Sequence, residues 1–131
     1  MKTRSTFLTA LALAFGLAAA GAASAHAWGN GSGLTYLTFS GPVALPGVTL
    51  EAGTYAFELH DPANSTNVVL VRDRNRRRPF YLGITQRVAR PAGLGNRSTV
   101  SLGEAPRGEP TPIVAWYPSD ASYGLQFIYV R

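Results

Sequence analysis

Residues 54–60 alternate without a break. Tyr55, Phe57 and Leu59 point one way, and Thr54, Ala56, Glu58 and His60 point the other. Successive side chains of a strand leave opposite faces of its sheet, so this pattern specifies a half-buried antiparallel strand rather than a helix. The residues before it are backbone punctuation. Gly41-Pro42, Pro46-Gly47 and Ala52-Gly53 bracket two short apolar pieces, Val43-Ala44-Leu45 and Val48-Thr49-Leu50. Proline fixes φ and glycine admits φ > 0. Residues 41–62 therefore read as turn, short strand, turn, long strand, turn.

The same grammar runs through the rest of the chain. Residues 34–40 form a strand with Leu37 and Phe39 on one face. Residues 61–66 are turn formers that close a hairpin. Residues 67–74 form a strand whose inward side chains are Val69 and Val71, because Leu70 shares its face with Arg72 and Arg74, and an unpaired buried Arg is costly. Residues 80–88 alternate, with Phe80, Leu82, Ile84 and Val88 on one side and Tyr81, Thr85 and Arg87 on the other. Residues 97–103 put Val100 and Leu102 inward. Residues 113–117 are a short strand, and residues 123–130 are the last one, with Leu125, Phe127 and Tyr129 inward. No window after Ala27 repeats apolar residues at helical spacing. Short strands separated by turn signals predict a single small all-β domain, an antiparallel β-barrel or sandwich of about seven to nine strands.

The first residues have a different purpose. Lys2 and Arg4 form a positive start, residues 7–20 are apolar, and small residues lead to Ala23-Ser24-Ala25 and Ala25-His26-Ala27. This is the pattern of a helical secretory signal peptide over residues 1–27, cut after Ala25 or Ala27. Residues 28–33 read as a flexible Gly-rich leader and residues 34–131 as the β domain. About 104 to 106 residues remain after cleavage, one domain's worth. The expected location is periplasmic or extracellular, with no membrane-spanning segment left. The chain has no cysteine, so no disulfide can staple the exported domain and apolar burial has to stabilise it. The 12 basic and 7 acidic residues become ten and seven once Lys2 and Arg4 are removed, a net charge of +3, and every remaining cation is Arg. Such an excess favours anionic surfaces without specifying one.

At Leu45-Pro46-Gly47-Val48-Thr49-Leu50-Glu51-Ala52-Gly53-Thr54-Tyr55-Ala56-Phe57 the chain resembles a group of small exported bacterial β-domain proteins. They carry a "TLPAGTYxF"-type stretch, with Glu51 here where Pro is usual. The likeness continues at Asn67-Val68-Val69, over residues 80–85, at Pro112-Ile113-Val114-Ala115-Trp116-Tyr117-Pro118 and at Gly124-Leu125-Gln126-Phe127-Ile128-Tyr129. The resemblance implies bacterial origin, export and a small β fold. The group is uncharacterised in activity and lends no catalytic residue.

Three constellations could carry chemistry. The strongest is Arg72-Asp73-Arg74-Asn75-Arg76-Arg77-Arg78. It falls at a hairpin tip, where guanidinium forks could bind phosphate or carboxylate bidentately. The partners this implies are anionic lipid, an acidic polysaccharide or the acidic face of a protein. The plainer reading is a solvated tip whose charges block edge pairing. Nucleic acid is not expected, since export removes it and no second basic strip is present. The second constellation is metal. Cleavage after Ala25 would make His26 the mature N-terminus, whose amine and imidazole suit copper; His60 and Glu58, outward on one strand, would complete the set. The set is short of ligands, and no cofactor is otherwise expected. The third, a distant one, is hydrolysis. His60-Asp61 looks like part of a triad, but consecutive strand residues point apart, and neither a Gly-x-Ser-x-Gly elbow nor a Cys nucleophile is present. Trp116-Tyr117 and Tyr123 could line a groove, but aromatic side chains in strands chiefly pack. The sequence therefore reads as an exported non-enzymatic structural or binding module, with an N-terminal copper site as its alternative.

Overall fold

The computed structural model describes residues 26–29, 34–64 and 67–130. The expected signal peptide, up to Ala25, and residues 30–33 of the expected leader lie outside the described residues. Ten strands are present among those described: β1 (His26–Gly29), β2 (Thr35–Phe39), β3 (Val43–Leu45), β4 (Val48–Leu50), β5 (Gly53–Leu59), β6 (Val68–Asp73), β7 (Pro79–Ala89), β8 (Thr99–Leu102), β9 (Thr111–Tyr117) and β10 (Tyr123–Phe127). The one helical element among them is a 3-10 turn, Ala92–Leu94. The protein is all-β, as its alternation requires. The count exceeds the expected seven to nine because β3 and β4 pair as a separate tiny hairpin and because β1 pairs with β2, His26 opposite Thr38 and Gly29 opposite Thr35. Trp28 and Gly29, read as leader, thus belong to a strand.

The sheet runs β1-β2-β5-β6-β7-β10-β9-β3-β4, with β8 on β9. It is mixed rather than antiparallel throughout, because β3 and β9 pair in parallel, Val43 with Thr111 and Ala44 with Pro112. Parallel neighbours need a long intervening chain, and more than sixty residues separate these two in sequence. Hydrogen bonds of successive strand residues leave opposite edges. Thr111 N–H donates to Pro42 O at 3.3 Å, and Pro112 O accepts from Gly103 N–H at 2.8 Å. β3 and β10 therefore share one edge of β9, and β8 lies along the other.

The core forms where the inner faces of β2, β5 and β6 meet those of β9 and β10. Phe57 has its ring centroid 6.2 Å from Phe39 and 5.9 Å from Trp116, so strands distant along the sheet touch across the interior. Trp116 has no exposure, and its Nε1–H donates to the buried Ser98 hydroxyl at 3.0 Å. A fully packed ring of this size contributes roughly 3–5 kcal/mol by comparison with Ala, which matters in a chain with no disulfide. Val69 and Val71 are wholly buried, as the parity of the basic residues on β6 implies. Trp116 and Tyr117 are packing residues rather than groove linings.

β7 departs from its expected reading in an informative way. The side chains with the most apolar character, Leu82 and Ile84, are 57% and 65% exposed, while Thr85 is buried. Register decides this. Val69 is paired with Gly83 and Val71 with Tyr81, and cross-strand partners share a face. The inward valines of β6 therefore draw Tyr81, Gly83 and Thr85 inward. Tyr81 packs edge-on to Phe127, centroids 5.7 Å apart, and Thr85 Oγ1 donates to Asn67 O at 2.6 Å. A bulge between Val71 and Arg72 shifts the register at the start of β7, which lets Phe80 reach the core rim against Tyr55.

Candidate functional site: the arginine hairpin

The basic run does form the tip between β6 and β7. Asp73 builds it. Its backbone N–H donates to Arg78 O at 3.0 Å, and its carbonyl accepts from Arg76 N–H at 2.9 Å. Its carboxylate Oδ1 accepts from the amides of Arg77 at 2.7 Å and Arg78 at 3.0 Å. An aspartate that ties down its own turn is a recurrent device. The bonds from Arg78 and then Arg77 hold the Asp73 carboxyl below its ordinary range, since amide hydrogens favour the ionised form. Arg76 takes a left-handed φ of 60°, which completes the reversal.

The five arginines do not act alike. Arg72 points along the outer face of β6 to Glu58 on β5. Its Nη2 donates to both carboxylate oxygens, Oε2 at 2.8 Å, and its Nη1 donates to Arg76 O at 3.2 Å. Arg76 leans back to the same carboxylate, Nη2 to Oε2 at 3.3 Å. The Glu58 side chain is 14% exposed and that of Arg72 23%. A guanidinium held in this way supports the hairpin, so Arg72, expected at the anion-binding tip, is engaged within the fold. Among the described residues, Arg74, Arg77 and Arg78 form no ion pair with a carboxylate; Arg78 lies 5.3 Å from the Phe80 ring centroid, where cation and π face attract. The exposed positive charge of the tip therefore comes from Arg74, Arg77 and Arg78, with Arg76 shared.

The three residues proposed for metal do not converge. β1 sets His26 opposite Thr38, and Thr38 lies opposite Thr54. His60 is six positions beyond Thr54, about 20 Å at strand rise, whereas ligands sit about 2 Å from a shared ion. Glu58, the third, already serves two guanidinium groups. The backbone positions of His26, His60 and Glu58 thus do not bring the three together. Among the described residues, no cluster of three or more His, Cys, Asp or Glu could hold a metal. His60 is exposed. Asp61, at φ 54°, directs its carboxylate to Asn64 Nδ2–H at 3.0 and 3.1 Å, so the two do not form a catalytic pair.

One arginine that sequence reasoning passed over organises the opposite end. Arg90 Nε donates to Gly95 O at 2.8 Å, Nη1 to Pro118 O at 2.6 Å and Ala121 O at 3.3 Å, and Nη2 to Arg97 O at 2.6 Å. It ties the loop after β7 to the turn before β10. An isolated Arg followed by Pro carries no sequence signal for such a role.

No protein-family model matches the chain, and no curated protein or solved structure is similar enough to it to carry an argument.

Proposed function

We propose that this chain is an exported, non-enzymatic binding module whose arginine hairpin contacts anionic surfaces of the cell envelope. The sheet curls into a barrel or sandwich that acts as a rigid scaffold, a reading supported by the contact of Phe57 with Trp116 across the core. The observation that carries the proposal is the division of labour at the tip. Glu58 engages Arg72 and Arg76 on the sheet, while Arg74, Arg77 and Arg78 remain outside any ion pair among the described residues. A turn pinned by Asp73 presents them with little backbone entropy left to lose, and preorganised guanidinium groups suit phosphate and carboxylate. The pattern of residues 1–27 supports export to periplasm or medium.

The test is the triple change R74S/R77S/R78S, which spares Asp73, Arg72 and Glu58. Folding by circular dichroism is expected to be unchanged. Binding to inorganic polyphosphate at low salt is expected to fall at least about tenfold, and the wild-type affinity to drop steeply with added salt. Equal binding by wild type and variant removes the proposal.

A further inference from the structure

The outer face beside the hairpin is apolar where it ought to be polar. Three cross-strand rows cross β5, β6 and β7 on that face. Ala56 lies opposite Arg72; Glu58 opposite Leu70, which lies opposite Leu82; and Val68 opposite Ile84. Phe127 pairs with Thr85, the last pair of β10 with β7, and Ile128 follows it directly, where a continued register would face Ile84. Leu82, Ile84 and Ile128 are 57%, 65% and 52% exposed, and Leu70 and Val68 are half-buried beneath them. Single exposed apolar residues are common; a contiguous strip on adjacent strands marks a contact surface.

The neighbours of the strip indicate what it meets. At one end stands the basic tip, and the ion pairs of Arg72 and Arg76 with Glu58 fold that tip back over the same face. Glu58, the carboxylate in these rows, is already matched. At the other end lies an uncharged polar row, where Gln86 pairs with Gln126. The face thus carries apolar side chains in the middle and unpaired positive charge at one margin. A free polyanion would use the arginines and leave the strip in water. An acidic protein face would have to offer apolar relief and charge in matching register. A bilayer with anionic headgroups satisfies both demands at once, since phosphates meet guanidinium groups at the depth where aliphatic side chains reach the acyl boundary.

We propose that the outer face of β6 and β7 is a membrane-docking surface, in which Leu82, Ile84 and Ile128 enter the interface of an anionic bilayer while Arg74 and Arg77 engage lipid phosphates. This rests on the reading of the hairpin as an anion-binding surface and names its target. The contact is peripheral and lies on one face of the sheet.

The experiment uses the exported, processed protein and three probes: vesicles of equimolar phosphatidylglycerol and phosphatidylcholine, vesicles of phosphatidylcholine alone, and inorganic polyphosphate. Wild type is expected to bind the anionic vesicles and to retain part of that binding at about 0.5 M salt, where screening leaves mainly the apolar term. L82S/I84S, both at exposed positions, is expected to lose about tenfold or more of vesicle affinity and to bind polyphosphate as wild type does. Ile128→Ser, beyond the end of β10, is expected to weaken vesicle binding in the same direction without touching a strand. Equal vesicle binding by wild type, L82S/I84S and Ile128→Ser overturns the docking surface and leaves the anion-binding hairpin standing. Binding to polyphosphate but to neither vesicle does the same. Binding to none of the three probes overturns both readings. A wild-type dimer that L82S/I84S converts to monomer with vesicle binding unchanged assigns the strip to a second copy and overturns the membrane.

Discussion

Glu58 is the residue on which the hairpin's chemistry turns. It is the carboxylate that both Arg72 and Arg76 reach, and it is largely enclosed. Removing one partner of a mostly buried pair leaves the other charge uncompensated, which costs more than the pair itself contributes. Glu58→Gln is therefore expected to lower stability by about 1–3 kcal/mol in urea melts, while adding one positive charge to the tip and releasing Arg76. Polyphosphate affinity should rise in the same variant. Loss of stability with unchanged or weaker anion binding would show that Arg76 contributes nothing outward. Adding Arg72→Met to Glu58→Gln should return part of the stability, since a packed pair without charge avoids the desolvation that the ions incur.

At the scale of elements, glycine and tyrosine pair across strands. Gly124 of β10 continues the register that sets Leu125 opposite Trp116, and it falls opposite Tyr117. A Cβ at Gly124 would lie 2.3 Å from the Tyr117 ring, which is itself buried and stands under Arg90, 6.0 Å from its guanidinium. Gly124→Ala is expected to cost about 1–3 kcal/mol through overpacking, a Tm lower by roughly 5–15 °C in a domain of this size. Gly93→Ala, where a Cβ would meet nothing within 4 Å, should change stability by less than about 0.5 kcal/mol; similar losses in both would refute the packing account. Elements are legible in the sequence wherever one face alternates cleanly, as in β2 and β5; in β6 residues 68–71 are all apolar, and only the parity of Arg72 and Arg74 chooses the face. β7 is not legible, because its residues are apolar on one face and aromatic or hydroxylic on the other. The register against β6 and a bulge choose its core face, and neither has a local signal. Likewise the arginine tip is legible as a charge run between strands. The commitment of Arg72 to Glu58 depends on the pairing of Ala56 with Arg72, a contact between residues sixteen positions apart.

Across the whole molecule, the seam that most needs closing is the edge of β9 that β3 and β10 share. β10 ends at Phe127, and the following segment carries Tyr129 to that seam. Its hydroxyl donates to Ile113 O at 2.6 Å and lies 3.0 Å from Ala44 O, one carbonyl on β9 and the other on β3. Tyr129, expected inward on the last strand, lies instead beyond the end of β10 with 37% of its surface exposed, and only its hydroxyl reaches the seam. Desolvation first, then the neighbouring Tyr81, raises its pKa from 10.0 to about 12, although the bond to Ile113 acts the other way. A phenol whose folded pKa lies above its unfolded value contributes stability that is complete below pH 10. Above that the unfolded chain ionises first, and the contribution falls until the folded hydroxyl also ionises near pH 12. Tyr129→Phe leaves Ile113 O without its donor and is expected to cost about 1–2 kcal/mol at neutral pH. Between pH 10 and 12 the wild type should lose that advantage, and the two urea-melt curves should converge. Tyr55, whose pKa burial also raises, declines alike in both proteins and cancels in the comparison, whereas Tyr81 interacts with Tyr129 and belongs to the difference. A constant gap between wild type and Tyr129→Phe across that window would mean that the hydroxyl is not the clasp of the β3, β9 and β10 seam.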